Sequence, residues 1–136
     1  MGTGIKYDFS HLKILLVEDT KINHLLMQNI FEVLNITKYD IAVNGIEAIG
    51  YSYQNEYDLI IMDVEMPYMD GNTATKIIKN NLELETPIYA CTTLDSDEDK
   101  VTMDNIGYEE LIKKPIDFSQ LLNVLNNVSG IKKCEA

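Results

Sequence analysis

The stretch Leu59-Ile60-Ile61-Met62-Asp63-Val64-Glu65-Met66-Pro67-Tyr68-Met69-Asp70-Gly71 decides the fold. Four apolar residues in succession, without polar alternation, have the pattern of a short strand buried on both faces of a parallel sheet. The run delivers one carboxylate, Asp63, at its carboxyl end, and Met-Pro and Asp-Gly then break the chain into a loop. Open α/β sheets do their chemistry just beyond the carboxyl ends of their strands. An Asp placed there is a presented nucleophile, a metal ligand or merely the start of a turn. Taken alone, the turn reading prevails.

Three further strand ends tip the balance the other way. Lys13-Ile14-Leu15-Leu16-Val17 runs into Glu18-Asp19, Ile88-Tyr89-Ala90-Cys91-Thr92 ends in a hydroxyl, and Leu111-Ile112-Lys113-Lys114 ends in a cation before Pro115. A parallel sheet brings such ends together. In these residues the chain resembles a response-regulator receiver domain, the phosphoacceptor module of two-component signalling. The resemblance rests on Val17-Glu18-Asp19, on Met62 to Gly71, on Pro87 to Thr92 and on Lys114-Pro115-Ile116-Asp117, and it extends from about Leu12 to Val128.

Composition agrees and excludes other classes. A chain of 136 residues with 46% hydrophobic and 24% charged residues suits one globular domain. A net charge of −11 argues against a nucleic-acid surface, which needs clustered Lys and Arg, so no DNA-binding output domain is expected within it. Cys91 and Cys134 form no disulfide framework and suit a reducing compartment. No apolar segment approaches the roughly 18 residues of a membrane span, and no signal-peptide pattern precedes the first strand. The expectation is a cytoplasmic domain without membrane contact.

Five strand patterns alternate with five helical ones, which implies a doubly wound α/β fold, a parallel sheet with helices on both faces. The first helix opens near Thr20-Lys21-Ile22-Asn23 with Asp19 or Thr20 as N-cap, and Ile22, Leu25, Leu26, Ile30, Val33 and Leu34 follow helical spacing along it. A second strand at about Tyr39–Val43 precedes a helix at about Ile46–Gln54, with Gly50 inside it; a third helix is expected at about Thr73–Asn81. The acidic run 95–99 starts the fourth helix, where negative charge suits the helix dipole, and Gly107 ends it. The fifth helix is expected at about Phe118–Val128. The domain layout is then a leader or linker at 1–11, a receiver domain at 12–129 and a disordered tail at 130–136.

The resemblance adds what spacing alone cannot. It implies strand order 2-1-3-4-5, the flavodoxin-like receiver fold. It makes Asp63 the phosphoacceptor, with Asp19, Asp63 and the Glu65 backbone carbonyl ligating Mg²⁺ directly and Glu18 acting through water. Lys114, aimed by a cis bond to Pro115, and the Thr92 hydroxyl contact the transferred phosphoryl group. The donor is a histidine kinase or a histidine phosphotransfer protein, and the domain catalyses only its own phosphorylation and dephosphorylation. Its pattern is nearest to receivers of hybrid sensor histidine kinases, whether as an excised receiver or a stand-alone regulator, and a monomer is expected. A partner would meet the rim around Asp63 near Thr20, Ile22, Asn23, Leu26 and Ile116.

Two departures from the family pattern stand out. Leu111 fills a strand-5 position that usually carries an aromatic, so the usual aromatic switch is missing. Glu65 and Leu94 line the mouth, where water reaches an acyl phosphate. His24 and His11 read as ordinary side chains and Cys91 as core. Rival readings are a flavodoxin-like binder, disfavoured by two acids in the loop after strand 1, a haloacid-dehalogenase-like phosphatase and an inactive pseudo-receiver scaffold. The phosphatase has no place for Glu18-Asp19 and Lys114-Pro115 in this order, and the scaffold has no need of an intact site.

Overall fold

The computed structural model describes residues 7–94 and 96–135. Its strands are β1 (Lys13–Val17), β2 (Lys38–Ala42), β3 (Leu59–Asp63), β4 (Ile88–Thr92) and β5 (Leu111–Lys113). Its helices are α1 (Lys21–Val33), α2 (Gly45–Gln54), α3 (Gly71–Lys76), α4 (Asp97–Ile106) and α5 (Phe118–Glu135). The strands form one parallel sheet in the order β2-β1-β3-β4-β5, as the resemblance implies. β3 and β4 are buried along their whole length, which accounts for their unbroken apolar runs.

Alternation along β1 divides the core between the two faces. Ile14 and Leu16 point into a layer with Met27, Phe31, Leu121 and Leu125 from α1 and α5. Leu15 and Val17 point the other way, onto Ala48, Ala74 and Met103 from α2, α3 and α4 and onto Ile78 just beyond α3. Local sequence fixes the helix starts. Asn44 Oδ1 accepts from the Glu47 amide, Asp70 Oδ1 from the Thr73 amide, and Ser96 and Asp99 bond each other's backbone in a capping box. Thr20 is the N-cap of α1, yet its hydroxyl caps nothing, because it donates to Glu18 instead.

Several elements differ from their expected outline. The spacing of six apolar residues along α1 predicts a core face, but Ile22, Leu25, Leu26 and Val33 are exposed; Met27 and Phe31 make the buried contact. Ile30 and Leu34 of the expected set do pack inward, beside Met27 and Phe31, so the buried face shares only part of that set. The third helix winds as α3 only to Lys76 and continues as a π-helical turn over Ile77–Asn81, with Lys79 Nζ donating to the Thr86 carbonyl. α5 runs on past Val128 to Glu135, through the stretch expected to be a tail. Gly130 weakens a helix by about 1 kcal/mol relative to Ala but does not end one, and Val128 and Ser129 still pack. Asp95, the first residue of the acidic run, and the first six residues of the leader lie outside the described residues, as does the Cys134 side chain.

The rest of the leader is anchored. Phe9 is buried in the α1–α5 layer, and its amide donates to the Leu34 carbonyl. Tyr7 packs edge-on against Phe118, and His11 Nε2 lies 2.7 Å from Ser129 Oγ. The segment therefore ties the end of α1 to α5. Phe9→Ala should cost roughly 3 kcal/mol, as for other buried aromatics, read as a lower urea midpoint with an unchanged slope.

Candidate functional site

Parallel pairing brings four strand ends to one level. Cys91 lies beside Asp63 and Lys113 beside Thr92 in the register, so the residues that end or follow β1, β3, β4 and β5 share one rim. Glu18, Asp19, Asp63, Thr92 and Lys114 all reach it. Carboxylate oxygens of Glu18, Asp19 and Asp63 lie within 4.8 Å of one another, and Glu18 and Asp63 are buried. Lys114 Nζ donates to Asp63 Oδ1 at 2.8 Å and stands 3.6 Å from Glu18 Oε1. The Lys114-Pro115 bond is cis.

One ammonium faces three carboxylates, so the cluster is short of positive charge. Burial raises the Asp63 pKa to about 6; Lys114 and the Glu65 amide oppose the rise and the Glu18 charge adds to it. Burial also works against the charge on Glu18, but the Thr20 amide, Lys114, Asn23 and the Thr20 hydroxyl outweigh it and hold Glu18 below its ordinary value. Lys114 is desolvated too, yet its bond to Asp63 and the charges of Asp63 and Glu18 raise its pKa. A site with oxygen donors alone and excess negative charge fits a hard divalent cation, for which Glu18, Asp19 and Asp63 supply the carboxylates.

Thr92 is buried, and its hydroxyl accepts from the Leu94 amide at 3.1 Å, which fixes the loop after β4. Cys91 is core, and burial pushes its thiol up to about 12, so it stays a protonated, inert group beside the acids. Leu111 is half-buried on β5. Leu94 and Glu65 are exposed at the mouth.

Some residues matter more here than their sequence context suggested. Thr20 holds Glu18 Oε2 with both its amide and its hydroxyl at 3.1 Å, and His24 Nε2 sits 2.5 Å from the Glu18 carbonyl. Gly71 does more than turn the chain. Its amide donates to the Val64 carbonyl, and a Cβ there would stand 2.2 Å from the Asp63 carbonyl oxygen, so α3 can start this close only on glycine. The Asp70-Gly71 pair was the available signal, but a dipeptide gives no hint of which backbone it approaches. Beside the acids, a cleft of about 280 Å³ opens between α1 and the β5–α5 loop, lined by Leu26, Met27, Cys91, Thr93, Pro115 and Ile116.

Comparison with known proteins follows the same residues. The family profile of the response regulator receiver domain matches residues 14–126. The chain belongs to the response-regulator receiver family. This receiver is 38% identical over 109 residues to the autoinducer 2 sensor kinase/phosphatase LuxQ of Vibrio parahaemolyticus, matching 77% of this chain and 12% of that one. It thus spans about an eighth of that sensor kinase. It is 34% identical to two-component response regulator 24 of Arabidopsis thaliana, over 88% of this chain and 86% of that protein. Among solved structures, the receiver domain of the sensor histidine kinase PA1611 from Pseudomonas aeruginosa, which holds a magnesium ion in its active-site cleft, superposes with a TM-score of 0.77. Its identity is 28%, over 88% of this chain and 98% of that one. The receiver is a signalling domain of the two-component phosphorelay, and among the described residues no helix is long and apolar enough to cross a membrane.

The raised Asp63 pKa makes a prediction about the metal-free receiver. The folded state binds this proton more tightly than the unfolded chain, so stability falls as pH rises from the ordinary carboxylate range through about 6. Asp63→Asn should therefore stabilise the protein in chelator near neutral pH, by roughly 1–3 kcal/mol, and the gain should shrink below about pH 5. Thermal melts at the two pH values check both.

Proposed function

We propose that this receiver takes a phosphoryl group from a phosphohistidine donor onto Asp63, in a Mg²⁺-dependent reaction. The observation that carries the reading is the Lys114–Asp63 contact at 2.8 Å inside a cluster of three carboxylates. An Asp carboxylate attacks phosphorus, the P–N bond to the donor imidazole breaks, and an acyl phosphate forms. Charge on the transferring group must be neutralised as it moves. Lys114 supplies an ammonium already bonded to the nucleophile, and the Thr92 hydroxyl supplies a donor at the next strand end. Asp19, Asp63 and the Glu65 carbonyl, with Glu18 beside them, would hold a Mg²⁺ ion, which would supply Lewis-acid stabilisation of phosphoryl oxygens. Thr20 and His24 position Glu18 from α1.

The partner in this reading is a histidine kinase or a histidine phosphotransfer protein, and the location cytoplasmic. Exposed Ile22, Leu25 and Leu26 on α1, next to the cleft that Ile116 borders, form an apolar rim beside the acids. A helix carrying the donor histidine fits against such a rim. The receiver is a phosphoacceptor and not a turnover enzyme, and similarity to part of a sensor kinase favours a receiver from a hybrid kinase. The scaffold reading gains nothing, since it leaves the buried charge cluster without a purpose.

Incubation with acetyl phosphate or phosphoramidate and Mg²⁺ should add one acid-stable, base-labile phosphate per chain. Asp63→Asn or chelator should abolish it, and mass spectrometry of the intact protein reads both. Undiminished labelling of that variant would refute the assignment.

Leu111 predicts a restricted response. Without an aromatic to turn inward as the Thr92 hydroxyl moves, the face built by α4, β5 and α5 has no rotamer switch. Beryllofluoride should shift amide resonances at the strand-end loops and the start of α1. Equally large shifts along β5 and α5 would show that the face responds by another route.

A further inference from the structure

α2 carries an apolar stripe that the fold leaves in solvent. Ile46 is 58% exposed and Tyr53 76%, and Gly50 lies between them, four residues after the first and three before the second. That spacing puts all three on one line along the helix. The fold itself does not require the glycine. A Cβ at position 50 would meet nothing within 4 Å, and a helix is weaker for having glycine inside it. A glycine between two large apolar side chains makes a notch, and small residues at a crossing point let two helices pack closely. We propose that this stripe is a weak dimer interface, in which α2 crosses α2 of a second copy of this chain, antiparallel, at Gly50.

The stripe selects a second copy because it is self-complementary. A two-fold axis through Gly50 brings Ile46 of each copy against Tyr53 of the other, and an isologous contact makes that pair twice. The same rotation sets the uncharged Gln54 opposite Glu47, whose Oε1 accepts from the Val43 amide, so no two acids face each other. Charge points the same way. α2 has one charged side chain in ten residues, in a chain that is 24% charged with a net charge of −11. It offers a nearly neutral face on a polyanion, where two copies meet without opposing their acids. The exposed residues of α1 instead border the cleft that Glu18 lines. α2 starts at the site end of the sheet, where the Gly45 amide donates to the Met69 carbonyl, so antiparallel copies hold their acidic sites at opposite ends. A helix of ten residues is about 15 Å long, less than a permanent interface needs, which makes the dimer a submillimolar one.

Sedimentation across protein concentration tests this. The parent should be monomeric when dilute and enter a monomer–dimer equilibrium toward about 1 mM. The dimer should strengthen in about 0.5 M salt, since screening relieves the repulsion between net charges. Gly50→Ala fills the notch with an atom that the monomer has room for. It should raise the melting temperature and yet weaken dimerisation about tenfold, opposite signs that a glycine serving only the fold would not give. Gly50→Glu sets two carboxylates on the axis, and Tyr53→Ser removes one member of each pair. Both should stay monomeric, with the circular dichroism of the parent. Three results overturn the proposal: a parent that remains monomeric at about 1 mM in high salt, a dimer that Gly50→Glu leaves intact, or a Gly50→Ala variant that dimerises as well as the parent.

Discussion

A carboxylate buried at the end of the central strand is expensive, and the neighbourhood of Asp63 is arranged around that cost. Desolvation alone drives its proton affinity up, and a second buried acid, Glu18, stands beside it. Lys114 relieves part of the excess charge and Thr20 secures Glu18, but Asp63 still holds its proton more tightly than an ordinary carboxylate. Charge left uncompensated in a folded protein is a standing demand for a cation or a proton. The cluster is assembled at four strand ends: carboxylates from β1 and β3, a hydroxyl from β4 and an ammonium from β5. These groups come from four separate stretches of sequence, so the site exists only when the register of the whole sheet is correct.

That dependence explains which features were legible in the chain. β3 and β4 are covered on both faces, and full coverage leaves an unbroken apolar run that needs no partner to be recognised. The groups at the strand ends were legible for the same reason, since the run marks where it stops. Strand order was not, because nothing in a strand's own residues names its neighbours, and it came from family likeness. α1 misled because apolar residues occur all around it. Periodicity measures the direction of hydrophobicity, not which of two apolar faces meets the sheet, and Ile22, Leu25 and Leu26 stay exposed.

Close approaches were the other blind spot. Gly71 is necessary because of where the Asp63 backbone lies, and Phe9 is core because α1 and α5 leave a slot for it. Both facts belong to the tertiary structure. The π-helical turn after α3 and the continuation of α5 through Gly130 were also not legible: local propensity argued for an ordinary helix in one case and an ending in the other, and the backbone follows neither.

The exposed apolar stripe on α1 has a bearing on how the domain behaves in bulk. Ile22 is 76% exposed and Leu25 56%, on a molecule whose formal charge is −11. Long-range repulsion between such polyanions keeps the stripes of neighbouring molecules apart, although nothing in the stripe itself discourages contact. Colloidal behaviour then becomes a matter of ionic conditions: salt shortens the reach of the repulsion, and acid removes its source, while the stickiness of the stripe is unchanged. A cationic surface on another protein experiences the opposite force and is drawn in faster than a neutral one. One charge surplus thus serves both to disperse the domain and to select what is allowed near its greasy helix.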